Sequence, residues 1–265
     1  MITIGLDVSR AAGLRTGVGQ YVSSLVESLA AIDPVNRYRL FARFWDSAPA
    51  DLGSFAPPGR PNFEWVDAPP SETADLDILH GPYTLPPRPT RGALVATVHD
   101  LAFLVEPDWH TRANRKLTLR HVERAVRSAA RIIVPSEATG RDLAERMRAD
   151  PSRIRVVPHA ARPSIRPVSD LGRISRTLWR LGIDRDFVLH AGTIEPRKNL
   201  VRLLEAFEAV EGRFPGKYLL VLAGPRGWKT EAFDAALAAS PAAASVRTPG
   251  YVADAEMGVL YTACR

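Results

Sequence analysis

Short apolar runs alternate along this chain with amphipathic segments of helical period, and no other feature restricts the fold as much. The runs are ITIGLDV (2–8), RYRLFARF (37–44), DILHG (77–81), ALVATVH (93–99), RIIVP (131–135) and RIRVVP (153–158), then DFVLHAG (186–192), KYLLVLAG (217–224) and SVRTPGY (245–251). Several are continuous and β-branched, as strands covered on both faces of a parallel sheet must be. Between them, 18–32, 112–129, 137–148, 199–213, 229–239 and 254–263 are predicted helices. In 199–213, Leu200, Leu203, Leu204, Phe207 and Val210 make one apolar face, with Arg202, Glu205 and Glu208 largely opposite. Alternating strands and helices of this length give right-handed βαβ units. The expected class is therefore α/β, doubly wound.

Two stretches break the alternation. Residues 46–76 are rich in Pro, Gly, Ser and Asp and read as irregular connection. Residues 158–173 carry Pro158, Pro163 and Pro167, which block regular structure and mark an extended linker. With 265 residues the length favours two domains. The division is placed at 1–167 and 168–265. The second part is short for a doubly wound half and stops abruptly after its last helix, so a truncated second domain is expected.

Composition narrows the function classes. The chain is 46% hydrophobic and 24% charged, a globular balance. Its one cysteine, Cys264, fits a reducing compartment. No basic leader with a small-residue cleavage site opens the sequence, and no apolar run approaches the ~20 residues of a membrane span. A cytoplasmic protein is expected. A formal charge of +6 implies attraction to something acidic, such as a phosphate-bearing ligand or an anionic membrane face, or an arginine-rich composition alone.

Candidate chemistry lies where strands end. Gly17 and Gly19 precede the helix at 18–32, where backbone N–H groups and the helix N-terminus favour an anion such as a diphosphate. A dinucleotide fingerprint does not fit this loop, which is too long, and the glycines alone can equally serve the turn. His99 and Asp100 close the strand at 93–99. There His99 can donate to a sugar hydroxyl or phosphate and Asp100 can accept from hydroxyls, or the two can hold the following loop. The six histidines have no metal-ligand spacing, and GPRGWK (224–229) lacks the spacing of a phosphate-binding Walker loop. The helix at 112–129 carries Arg112, Lys116, Arg120, Arg124 and Arg127 as a basic stripe, either a solvated face or a contact for an anionic bilayer. No nucleic-acid reader module is visible. The most specific stretch is HAGTIEPRKNL (190–200). Only four of the 35 basic side chains are lysines, and one of them, Lys198, stands here at the mouth of a buried strand. A cation at a helix N-terminus is electrostatically unfavourable, so helix capping explains it poorly.

Taken in order, TGVGQYVSSLVESL, VHDLAF…PDWHT, VPSEATGRDLAERMRADPSRIRVVPHA, HAGTIEPRKNLVRLLEAF, LVLAGPRGW and GYVADAEMGVLYTAC resemble glycosyltransferase family 4, retaining enzymes of the GT-B fold. The resemblance implies two Rossmann-like domains facing each other across a cleft, the second incomplete here before the family's E-x7-E region. It also implies transfer of a hexose, mannose among the candidates, from a nucleotide diphosphate sugar to a glycan or lipid-linked glycan acceptor. That transfer needs no metal and no cofactor beyond the donor, and the enzyme can sit peripherally at the inner membrane face. By the same resemblance, Gly17 and Gly19 lie against the donor phosphates and His99 near the transferred sugar. Lys198 reaches the diphosphate, and Gly250, Tyr251 and Val252 border the base. Thr193 stands where many members carry a second diphosphate cation, a role Arg197 is placed to take. A lysine there stabilises charge on the departing diphosphate as it develops, and Pro196 stiffens the turn that aims it. As it stands, the chain is expected not to turn over by itself. The alternatives are a nucleotide-sugar epimerase of the same architecture and a non-catalytic nucleotide- or glycan-binding domain.

Overall fold

The computed structural model describes residues 1–11, 15–41, 58–66, 75–83, 85, 91–162 and 164–265. Residues 42–44 of the second predicted strand, most of the 46–76 connection and Pro163 lie outside this set. Two compact units result. The first comprises Met1–Val105 and Arg112–Ala160, the second Glu106–Thr111 and Ala161–Arg265. The units thus part at 160/161, and Glu106–Thr111 belongs with the second.

The first unit is built on seven parallel strands: β1 (Thr3–Asp7), β2 (Arg37–Phe41), β3 (Phe63–Val66), β4 (Ile78–Gly81), β5 (Ala93–Thr97), β6 (Arg131–Val134) and β7 (Ile154–Val156). Their order is β3-β2-β1-β4-β5-β6-β7. The chain winds one way from β1 to β3 and the other way from β4 to β7. The order therefore reverses between β1 and β4, whose carboxyl ends are where an open parallel sheet places ligands. Helix α1 (Gly17–Ile32) covers one side through Val22 and Val26, which pack on Leu6, Val8, Tyr38 and Leu40. The short α2 (Ala102–Val105), α3 (Arg112–Ser128) and α4 (Glu137–Met147) bury Phe103, Val122, Ala125 and Leu143 against Ala96, Ile132 and Val134.

The second unit holds three parallel strands, β8 (Asp186–Ala191), β9 (Tyr218–Ala223) and β10 (Val246–Gly250), in the order β10-β9-β8. Alternate residues of β9 feed opposite cores, as the two-residue period of a strand requires. Leu220 and Leu222 pack with Leu200, Leu204 and Phe207 of α6 (Leu200–Arg213) and Phe233 of α7 (Glu231–Ala239). Leu219, Val221 and Ala223 pack with Phe187, Ile183, Val252 and Leu260, the last on α8 (Asp254–Ala263). Leu178 and Leu181 join this second core from α5 (Leu171–Arg180) and the residue that ends it.

Three elements were not expected, the four-residue α2 among them. Strand β3 arises within the 46–76 region. Tyr38 and Phe63, one rung of the β2–β3 pairing, stack with ring centroids 4.4 Å apart, and that contact outweighs the surrounding turn-forming composition. Helix α5 begins inside the stretch read as linker. Its apolar residues fall at 171, 174, 178 and 181, a helical spacing. The Asp170 carboxylate accepts from the Arg173 amide at 2.9 Å, and Gly182 turns the chain out at φ +68°. Asp170→Ala is expected to lower the stability of the second unit by about 1 kcal/mol, read as a shift in its urea midpoint.

Candidate functional site

In the first unit, polar groups gather at the carboxyl ends of β4, β5 and β7 and at the start of α1. Helix α1 opens at Gly17, and Thr16 makes no side-chain cap bond. An α-helix leaves its first N–H groups without intrahelical partners; here they belong to Gly17, Val18 and Gly19. The two glycines differ in duty. Gly17 is exposed, with open space where a side chain would stand, so nothing obstructs approach to its backbone. Gly19 is buried, and a Cβ there would collide with the Arg10 carbonyl oxygen. Its lack of a side chain lets the 3-10 turn Ser9–Ala11 lie against the helix start.

His99 follows β5. Its Nε2 lies 2.8 Å from the Pro82 carbonyl oxygen. A carbonyl only accepts, so Nε2 carries the proton and Nδ1 is left as an acceptor. Burial, the largest influence, holds the ring below its ordinary pKa; the bond to Pro82 opposes it. His99 is therefore a neutral ring whose Nδ1 can accept a hydrogen bond and whose one donor is already engaged with Pro82, rather than the donor expected from its type alone. Around it stand the Tyr21 ring at 5.0 Å, edge-on, and the His159 ring at 5.8 Å; Tyr21 and His159 are 5.0 Å apart. Beneath them, Tyr21 Oη pairs with Thr97 Oγ1 at 3.3 Å, and Thr97 Oγ1 with Nε2 of the buried His80 at 2.9 Å. Asp100 is exposed, and its Oδ1 accepts from the Ala102 amide at 3.0 Å, where it caps α2.

In the second unit the site is the carboxyl edge of β8, β9 and β10. Past the strands, Ile194 N–H donates to the Pro225 oxygen at 3.0 Å and Gly227 N–H to the Ile194 oxygen at 3.0 Å; Gly224 N–H donates to the Gly250 oxygen at 2.8 Å. Thr193 lies in this seam, with its Cγ2 2.7 Å from where a Gly227 Cβ would stand. The buried Glu195 carboxylate pairs with the Arg197 guanidinium at 2.8 Å, so Arg197 is committed within its own loop. Pro196–Lys198 form a 3-10 turn, Asn199 turns left-handed at φ 51°, and α6 starts at Leu200. Lys198 is half-buried and its ammonium has no ion-pair or hydrogen-bond partner among the described residues. Gly250 sits at φ +77° with open space around its Cα. Tyr251 is exposed, whereas the Val252 side chain is buried in the core with Phe187 and Leu260, leaving its backbone for any ligand. Trp228 Nε1–H donates to the Trp109 oxygen at 2.8 Å and Lys229 Nζ to the Asp108 oxygen at 2.6 Å, which seats the 3-10 turn Pro107–Trp109 on the loop after β9.

A sequence profile of Glycosyltransferase Family 4 matches residues 15–164, more than half of the chain. The chain belongs to this family. The O-antigen chain mannosyltransferase B of Escherichia coli is 26% identical to it over 194 residues, 71% of this chain and 49% of that protein. The chain thus spans about half the length of the curated relative it matches. Among solved structures, HepE of Anabaena in complex with UDP-glucose aligns over 100% of this chain and 72% of its own, with 15% identity and a TM-score of 0.64. WaaG, a glycosyltransferase involved in lipopolysaccharide biosynthesis, aligns over 98% and 73%, with 14% identity and a TM-score of 0.71. At these identities the likeness is one of fold, and that fold is GT-B.

The family 4 chain holds site groups that the sequence reading passed over: Tyr21, His80, Thr97, His159 and His190. Tyr21 carried a signal, standing four residues after Gly17 on one helix face. His159 follows β7 as His99 follows β5. Among the described residues no group of three His, Cys, Asp or Glu side chains is placed to hold a metal ion, and no helix is long and apolar enough to cross a membrane. Of the basic stripe on α3, Arg112, Lys116, Arg120 and Arg127 are exposed, while Arg124 donates to the Leu85 oxygen at 3.0 Å.

Burial pushes His80 down to about 4, below the ~6.5 of an exposed imidazole. Its folded pKa lies under its unfolded one, so the stabilisation is present above pH ~6.5 and is lost as pH falls toward 4. The full difference is about 3 kcal/mol. His121, also pushed to about 4 by burial and then by Arg124 and Arg10, acts in the same direction. The urea midpoint of the first unit is expected to fall between pH 7 and pH 5. His80→Gln should remove about half of that slope, and an unchanged slope would refute the assignment.

Proposed function

We propose that this chain acts in retaining glycosyl transfer, moving a hexose from a nucleotide diphosphate sugar to a glycan or lipid-linked glycan acceptor. The observation that carries this reading is Lys198. It is a half-buried ammonium at the carboxyl end of β8, without an ion-pair partner among the described residues, and its neighbour Arg197 is neutralised by Glu195. A partly desolvated cation held without a counter-charge favours an anion that arrives with the substrate and gains charge as the bond breaks. The ammonium is a compact point charge on a flexible stem, suited to follow phosphate oxygens through that change.

The remaining roles belong to the same proposal. The first-turn N–H groups of α1 at Gly17 and Gly19 offer backbone donors to the phosphates. His99 accepts a hydroxyl proton of the transferred sugar through Nδ1 and so orients it. The open backbone at Gly250 and the exposed Tyr251 border the base. No side chain is assigned as a nucleophile; the leaving phosphate assists the incoming hydroxyl on the same face, and no metal takes part. Mannose is the preferred candidate sugar, supported by the mannosyltransferase relative. The exposed Arg112, Lys116, Arg120 and Arg127 of α3 support peripheral contact with an anionic bilayer at the cytoplasmic side of the inner membrane.

The test is equilibrium binding of a panel of nucleotide sugars, UDP-glucose and GDP-mannose among them, to the native chain and to Lys198→Ala. One donor should bind selectively, and the substitution should weaken it about 10- to 100-fold, as loss of a charge-assisted contact does. Binding unaffected by the substitution, or abolished by chelation of divalent ions, would count against the reading.

A further inference from the structure

The first residue of the 190–200 stretch holds an unused group. Strand pairing sets His190 beside Leu222. Phe187 and Leu189 pack toward the α5/α8 core, so the two-residue period turns His190 to the opposite face, the one covered by α6 and α7. The ring is half-buried, and its Nε2 is shielded from water without a hydrogen-bond partner among the described residues. Buried polar atoms in native proteins are ordinarily paired, and one that is not calls for a reason. The position of Lys198 supplies one. A Cβ built on Gly192 would stand 3.4 Å from His190 Nε2 and 3.5 Å from Lys198 Cε. Imidazole and lysine stem therefore flank the same Cα, and the absence of a side chain at Gly192 keeps the space between them clear.

We propose that His190 is a second donor-binding group beside Lys198: when the diphosphate binds, the His190 ring takes up a proton from solvent and its Nε2–H donates to a phosphate oxygen. This rests on the transferase reading above. Other charges at this sheet edge are already matched, with Glu195 on Arg197 and Asp234 on Arg226. Leu222, beside His190 on β9, is apolar. Lys198 is thus the charge that His190 feels. In the free protein, burial first and the Lys198 charge second hold the ring below its ordinary pKa and so neutral. A diphosphate reverses the second influence, since it matches the ammonium and adds negative charge beside the ring. The four-carbon stem of Lys198 can swing toward the phosphates and uncover Nε2 as it does so.

Because the ring gains its proton on binding, affinity should be highest below the free-state pKa and fall as pH rises through the pKa of the complex. UDP-glucose and GDP-mannose are suitable probes, since their diester phosphates lack the second ionisation near pH ~6 that a phosphomonoester shows. Calorimetry in two buffers of different ionisation enthalpy should detect net proton uptake by the native chain. Affinity should fall about tenfold from pH 6 to pH 8, the effect of a shift of one pKa unit. His190→Gln keeps a neutral hydrogen-bonding group but cannot titrate. It should fold, as checked by its thermal melt, retain most of the pH 8 affinity and lose both the proton uptake and the pH dependence. Proton-coupled ring NMR provides a second readout: the imidazole signal absent from His190→Gln should titrate at higher pH when donor is bound. Binding that depends on Lys198 but is flat with pH, or a pH dependence that survives in His190→Gln, leaves the transferase reading standing and overturns the role of His190. Failure of both nucleotide sugars to bind the native chain at every pH tested overturns both.

Discussion

The second unit depends on backbone pairing that continues past the end of its sheet. Strands β8 and β9 run out at Ala191 and Ala223, but the loops beyond them stay bonded through Ile194, Pro225 and Gly227. Such close approach is possible because the positions at the seam lack side chains. A Cβ at Gly224 would collide with the Gly192 carbonyl oxygen, and one at Gly227 would come 2.9 Å from the Ile194 oxygen. Once the loops are joined, Glu195 has nowhere to go but inward, and a buried carboxylate requires a partner. Arg197, two residues on, provides it. With that pair formed, the turn between Pro196 and Asn199 is held at both ends and Lys198 is presented at its tip. The position of the lysine thus follows from two glycines and an internal ion pair, none of which need touch a ligand.

The first unit reaches a comparable result by other means. Gly19 admits the Arg10 carbonyl against the start of α1, which fixes where the open N–H groups of Gly17 and Val18 point. The Pro82 carbonyl fixes the His99 tautomer. Tyr21, Thr97 and His80 then form a hydrogen-bonded column behind the ring. In each unit a backbone carbonyl or amide, held by its own sheet, decides what a site side chain can do.

How much of this the sequence disclosed depended on the range of the contact. The alternation of strands and helices was plain because continuous runs such as YLLVLA have no other stable use than a strand covered on both faces. Helix α5 was overlooked because three prolines precede it, although its 171/174/178/181 spacing, Asp170 and Gly182 were all present. Strand β3 is four residues in a turn-rich region and takes its stability from Tyr38, 25 positions away in the chain. Within the site, Lys198 was conspicuous as one of few lysines, and the Glu195–Arg197 pair was within reach of local reasoning. The direction of the His99 hydrogen bond was not, because its partner lies 17 residues upstream and is a carbonyl that every sequence position possesses. His190 escaped notice because a histidine in a strand is ordinary until its ring nitrogen is seen to be buried and unpaired.

The electrostatic state of the two sites is consistent across these details. Burial favours the neutral form of His80, His99 and His190, while the half-buried Lys198 carries the unmatched charge of the β8 loop. A neutral His190 adds no repulsion to the Lys198 ammonium, so the second unit need not hold two uncompensated cations at a partly desolvated edge. A chain with a formal charge of +6 could have lined this edge with unmatched arginine; instead Arg197 and Arg226 there are matched by Glu195 and Asp234, and the groups left without such a match among the described residues are the ammonium of Lys198 and the ring of His190.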